Sequence, residues 1–109
     1  VEVRLDHIYR VNGDKWDVWI ETDLHPSENL KRNFWFCLLD EPSAMAQRHR
    51  IGVENILFET DFPHTDTSWP NSQDLLHRHV VDLPRDEAAR ISWKNAVEVF
   101  GLPTPSSAR

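Results

Sequence analysis

The sequence predicts an α/β fold built on two parallel strands. Three observations predict it. Two short apolar runs, residues 34–39 and 56–60, have the composition of strands buried in a parallel sheet. Between them lies a stretch that opens on Pro42 and closes on Gly52, the start and stop signals of a helix. An acid, Asp61, stands at the carboxyl end of the second run, where parallel α/β folds gather their ligands.

Each element follows from local chemistry. Val1, Leu5, Ile8 and Tyr9 fall at helical spacing and predict a short helix ended by Asn12-Gly13-Asp14. Residues 15–24 read as a loop in which Trp16 and Trp19 serve as packing anchors. Pro26 fits the first turn of a short helix through Arg32. The run Phe34-Trp35-Phe36-Cys37-Leu38-Leu39 reads as a strand covered on both faces. A helix is expected from Pro42 to about Arg50, with Gly52 in a left-handed cap. The second strand is expected over residues 54–60, stopping at Asp61 because Pro63 has no N–H for a ladder. Strand, helix and strand form a βαβ unit with a right-handed crossover.

Beyond Asp61, Asn71 and Asp74 mark the start of a helix that runs to about Asp82, and Leu83-Pro84 breaks it. Residues 86–100 predict the last helix, with Ala88, Ile91, Ala96 and Val99 on one face and Asn95 among them. A buried asparagine there satisfies backbone groups of a neighbouring turn, and Gly101 caps the helix. Residues 1–102 make one segment, and 103–109 read as a disordered tail. No internal repeat is present.

Length and charge narrow the function. With 109 residues the chain holds at most one domain. A net charge of −6, with the bases scattered, argues against a nucleic-acid partner. No apolar run approaches the roughly 20 residues of a membrane span, and residues 1–10 carry too many charges for a signal peptide. Cys37 is the one cysteine, so no internal disulfide forms. These features predict a soluble, cytoplasmic protein with no membrane association.

The stretch E-T-D-F-P-H-T-D-T-S-W-P, residues 59–70, resembles the end of strand eight in the amidohydrolase superfamily. It is most similar to the amidohydrolase-related branch that includes aminocarboxymuconate-semialdehyde decarboxylase. Arg4-Leu5-Asp6-His7, Asp40-Glu41-Pro42, Asn95-Ala96 and Val99-Phe100-Gly101-Leu102 extend the resemblance over nearly the whole chain. The resemblance implies a (β/α)8 barrel, of which this chain corresponds to the last two strands and their helices. A full barrel needs about 250 residues, so the chain is expected to be a carboxyl-terminal fragment. Its open strand edges predict self-association or pairing with the missing barrel portion.

The resemblance also implies roles. Asp61 would bind a catalytic divalent metal, zinc first and manganese second, and handle a proton. By spacing alone, Asp61 reads equally as a turn acid before Pro63. His64 would line the mouth of the site, and Trp69 would contact the pocket or anchor the loop to the rim. Asp61, His64 and Asp66 lie in one tight loop, too close in sequence to form a whole metal site around Pro63. Strand alternation turns Glu59 to the same side as Asp61, and Thr60 to the helices. Cys37 lacks a His or Asn partner in sequence and reads as a buried structural thiol. His7, His25, His49, His77 and His79 read as surface residues, and the last two point to different helix faces. The family's metal site further needs an early His-x-His and histidines on strands five and six. No His-x-His precedes Asp61 here, so the chain holds one ligand of such a site and is expected to be inactive alone. The expected reaction of the whole enzyme is hydrolysis of an amide or ester, or non-oxidative decarboxylation of a small carboxylated substrate. The other reading is a non-catalytic binding or assembly module on the same βαβ scaffold.

Overall fold

A computed structural model describes residues 2–12 and 24–104. The loop with Trp16 and Trp19 and most of the expected tail, residues 105–109, lie outside the described residues. The chain divides into two compact units, Val1–Phe34 and Trp35–Arg109.

The first unit contains α1 (Glu2–Asn12) and α2 (Pro26–Asn33). Pro26 occupies the first turn of α2, where its missing N–H costs nothing. His25 precedes it, and the Glu28 carboxylate accepts from the His25 N–H at 2.8 Å. A second acid serves the same helix end from a distance in sequence. Asp6 of α1 accepts from the Ser27 N–H at 2.9 Å and from the Ser27 hydroxyl at 2.7 Å. It therefore satisfies a first-turn amide that the α2 backbone leaves open.

The second unit carries the sheet. β1 (Phe36–Leu38) and β2 (Ile56–Phe58) pair in parallel, with Phe36 opposite Ile56 and Leu38 opposite Phe58. The chain between them forms α3 (Pro42–Ala46), α4 (Arg48–Ile51) and a 3-10 turn, Val53–Asn55. Beyond β2 come α5 (Ser72–Val80), α6 (Arg85–Ala89), a π-helical segment Arg90–Lys94, and α7 (Asn95–Phe100). Leu38, Ile56, Met45 and Ile91 form the core on one face of the sheet. Cys37 and Leu57 lie on the other face. Among the described residues no helix is long and apolar enough to cross a membrane.

Several expectations are corrected. β1 is three residues long and is not covered on both faces: Phe36 is 42% exposed and Cys37 is exposed too. Its apolar composition suits a double-sided burial that two strands cannot supply. The single helix expected from Pro42 breaks at Gln47, where Arg48 turns to donate to the Met45 carbonyl and to Glu87 of α6. Gly52 is not in the left-handed helical region; with φ 107° and ψ 113° it occupies a more extended geometry. A β-carbon there would stand 2.5 Å from Asn55 Oδ1, so glycine is still required. Glu54 and Asn55 belong to the 3-10 turn rather than to the strand. Thr60, expected to face the helices, is exposed beyond the end of β2.

The last helix shows the predicted face. Ile91 and Asn95 are buried, and Ala88, Ala96 and Val99 are half-buried. Gly101 closes it at φ 61°, ψ 35°, the left-handed cap the sequence predicts. Asn95, 1% exposed, donates from Nδ2 to the carbonyls of Val53 and Ile56, both at 2.8 Å. The one side chain thus holds the turn before β2 and the first residue of β2.

Removing that amide leaves two carbonyls without their donor. Asn95→Ala should destabilise the second unit by about 2–4 kcal/mol, since each stranded buried acceptor costs about 1–3 kcal/mol. Urea unfolding checks it, and a loss below about 0.5 kcal/mol would refute the clamp. The first unit should respond to acid. The hydrogen bond from Ser27 holds the Asp6 carboxyl below its ordinary value, against a smaller opposing effect of burial; the Ser27 amide, His25 and Arg10 also lower it. A carboxyl depressed in the folded state stabilises above its unfolded pKa and ceases to do so as pH falls through the folded pKa. The Ser27 amide resonance should therefore titrate with a midpoint below 3.8, and a midpoint above that value would contradict the assignment.

Candidate functional site

β2 ends at Phe58, and the chain then builds a closed loop that hangs from one carbonyl. Thr60 O accepts from the Ser68 N–H at 3.1 Å and from the Thr67 hydroxyl at 2.7 Å. Thr67 Oγ1 in turn accepts from the Trp69 N–H at 3.1 Å. Two turns lie on the same loop. In each, a cis proline holds the third position and the fourth N–H returns to the first carbonyl: His64 to Asp61 and Asn71 to Ser68, both at 2.8 Å. These are type VI turns. Phe62 and Trp69 meet edge to face across the loop at 6.1 Å.

Asp61 opens the first turn with φ 52°, left-handed backbone that aspartate tolerates better than most residues. Its Oδ2 lies 3.0 Å from His64 Nδ1, and its side chain is 41% exposed. The Asp66 N–H approaches the same His64 nitrogen at 3.4 Å. One nitrogen cannot donate to the carboxylate and accept from the amide together, and the shorter, charged contact is the stronger. With Nδ1–H given to Asp61, Nε2 carries the free lone pair. The pair is thus an oriented imidazole with a carboxylate behind it, in one turn at the carboxyl end of a parallel strand.

The other predicted residues fall elsewhere. Trp69 is 63% exposed. It lines, with neither Asp61 nor His64, a groove of about 300 Å³ between the end of β1 and α5. Leu39, Asp40, Asp66, Asn71 and Arg78 are among the other walls. Asp40 is held there by His79, whose Nε2 stands 2.8 Å from Asp40 Oδ1. The His79 side chain is only 11% exposed, so the expectation of a surface histidine is corrected. His77 on the same helix is exposed. No sequence signal joins Asp40 to His79, which lie 39 residues apart.

Glu59 does not meet Asp61. It lies beside Cys37, and the thiol hydrogen-bonds to its carboxylate. The buried structural thiol is corrected as well, because Cys37 is exposed, on the sheet face opposite the Leu38 and Ile56 core. Local loss of water pushes the thiol pKa up, and the Glu59 charge and hydrogen bond push it further in the same direction.

A parallel strand pair ending in an acid–imidazole turn, with a polar groove beside it, has the layout of an α/β ligand site. The Amidohydrolase family model matches residues 4–102, and the chain belongs to that family. No curated protein matches the sequence. The family is generally metal-dependent, and a catalytic zinc takes about three protein ligands. Asp61 offers one accessible carboxylate, and among the described residues no group of three His, Cys, Asp or Glu converges. The described residues therefore fit one ligand position and not a complete centre.

The thiol environment is testable. At pH 8, Cys37 should react with iodoacetamide severalfold more slowly than a free cysteine, because less of it is thiolate. Glu59→Gln removes the negative charge and should speed the reaction. An unchanged or slower rate in Glu59→Gln would show that Glu59 does not raise the thiol.

Proposed function

We propose that this chain contributes the strand-end acid, Asp61, to the active site of a metal-dependent hydrolase or non-oxidative decarboxylase of the amidohydrolase superfamily. Within it we place the chain in the branch similar to aminocarboxymuconate-semialdehyde decarboxylase. The substrate is a small carboxylated molecule, or an amide or ester, and the protein acts in the cytoplasm. The observation that carries this reading is the Asp61–His64 pair at the carboxyl end of β2, in a chain of this family.

Asp61 would be this chain's ligand to zinc or manganese, and the ion, when bound, supplies Lewis-acid polarisation. The other ligands come from outside the described residues. The chain's own groups have a separate task. The Asp61 carboxylate fixes the His64 ring and its tautomer, so that Nε2 faces outward as a proton acceptor. The Thr60 carbonyl, by holding Ser68 and Thr67, keeps the loop closed around that pair. The uncovered strand β1 supports association, with the remaining barrel or with a second copy.

Asp61→Asn keeps the shape of the side chain and removes its charge. In the complete gene product it should lower turnover by about 100-fold or more while leaving circular dichroism and the unfolding midpoint unchanged. Turnover is read as acid release from esters and amides or as carbon dioxide release from aromatic acids. An Asp61→Asn enzyme with near-normal rate would eliminate the assignment.

A further inference from the structure

A cavity of about 380 Å³ lies within the first unit, between one face of α1 and the start of α2. It shares no lining residue with the Asp61 loop or with the groove beside α5. Val3, Asp6 and Arg10 follow one another at three and four residues, so a single face of α1 brings them to it. His25, Ser27 and Glu28 line it from the start of α2. The charges of these walls are not equally committed. Asp6 gives Oδ1 to the Ser27 N–H and Oδ2 to the Ser27 hydroxyl, and so serves as the internal anion of the α2 amino end. Arg10 lies close enough to attract that carboxylate, yet among the described residues no ion pair joins it to an acid. It is exposed and keeps its fork of N–H donors. Glu28 spends Oε2 on the His25 N–H, and its Oε1 has no partner among the described residues. The His25 ring is packed edge-on against Tyr9, with centroids 5.3 Å apart. Val3, 65% exposed, is the apolar wall.

One cavity thus presents a guanidinium, an open carboxylate oxygen and an aliphatic wall. A guanidinium grips a carboxylate with two parallel N–H groups. A carboxylate oxygen accepts from an ammonium. A simple anion or a simple cation would meet one partner and one like charge here, whereas a zwitterion meets two partners. We propose that this cavity binds a small aliphatic amino acid. Arg10 receives its carboxylate, Glu28 Oε1 accepts from its ammonium, and Val3 covers its side chain. The His25 N–H holds the Glu28 carboxylate by the other oxygen and so fixes its place in the wall. The site goes beyond the role given to Asp61 and does not rest on it.

The test needs neither metal nor turnover. The 109-residue chain is titrated with L-valine, with isovalerate, which lacks the ammonium, and with isobutylamine, which lacks the carboxylate. Amide and methyl resonances are followed by NMR. L-Valine should shift Val3, Arg10, His25 and Glu28. Isovalerate and isobutylamine should each bind at least about tenfold more weakly, the scale of one charge-assisted hydrogen bond. Arg10→Gln should weaken L-valine by a similar factor, and Arg10→Lys should fall between. Glu28→Gln keeps an oxygen for the His25 N–H and removes the charge. It should weaken L-valine and narrow its advantage over isovalerate. An unmoved Ser27 amide resonance shows that the Asp6 contact and the local fold survive each substitution. The comparison of the three probes on the unaltered chain decides the matter even where a variant loses that fold. The inference is overturned if L-valine moves none of the four residues, if isovalerate or isobutylamine shifts them as strongly, or if folded Arg10→Gln or folded Glu28→Gln binds L-valine normally.

Discussion

The whole second unit depends on the two hydrogen bonds that the Asn95 amide donates to the carbonyls of Val53 and Ile56. A parallel pair of three-residue strands has few ladder bonds of its own. Asn95 reaches it from α7 and joins the last helix to the start of β2 at a fully buried point. Ile56 and Ile91 pack beside it in the core, so the polar clamp and the apolar contact act together. From Ile56 the chain runs directly to Phe58 and Thr60, and the Thr60 carbonyl then gathers Ser68 and Thr67. The Asp61 turn is therefore held by a continuous series of backbone acceptors, each satisfied by a side chain or amide close by.

Charge is divided between the two faces and the end of the sheet. On the face opposite the Leu38 and Ile56 core, local burial and then the Glu59 charge raise the Cys37 thiol pKa. At the end, Asp61 orients His64. Beside that turn, Asp40 is tied to His79, while Arg78 and Asp66 stay apart. Pairing fixes the position of a charge, and leaving a charge unpaired keeps it for a ligand. The loop of residues 59–70 contains both arrangements.

The exposure of β1 has a related physical origin. Phe34, Trp35 and Phe36 are large apolar side chains, and each is at least two-fifths exposed. Leaving such a side chain in water forgoes about 1.5–3 kcal/mol. A sequence written for a strand covered on both faces, placed in a two-stranded sheet, leaves that area open. The same apolar composition is what strands buried in a parallel sheet carry.

By itself the sequence determined what local chemistry controls. Pro26 set the start of α2, Gly101 the end of α7, and Leu83-Pro84 the break before α6. The apolar runs located both strands, and the spacing of Ile91 and Asn95 located the buried face of the last helix. The motif around Asp61 placed the candidate acid at the end of β2. Tertiary structure alone decided the rest, because those features join residues far apart in the chain. The break at Gln47 accompanies the contact of Arg48 with Glu87, 39 positions away. The covering of His79 needs Asp40, also 39 positions away, and the state of Cys37 needs Glu59 on the neighbouring strand. Periodicity and punctuation report what a residue does to its own helix or strand. Which carboxylate stands beside which imidazole, thiol or guanidinium is settled only when the elements pack.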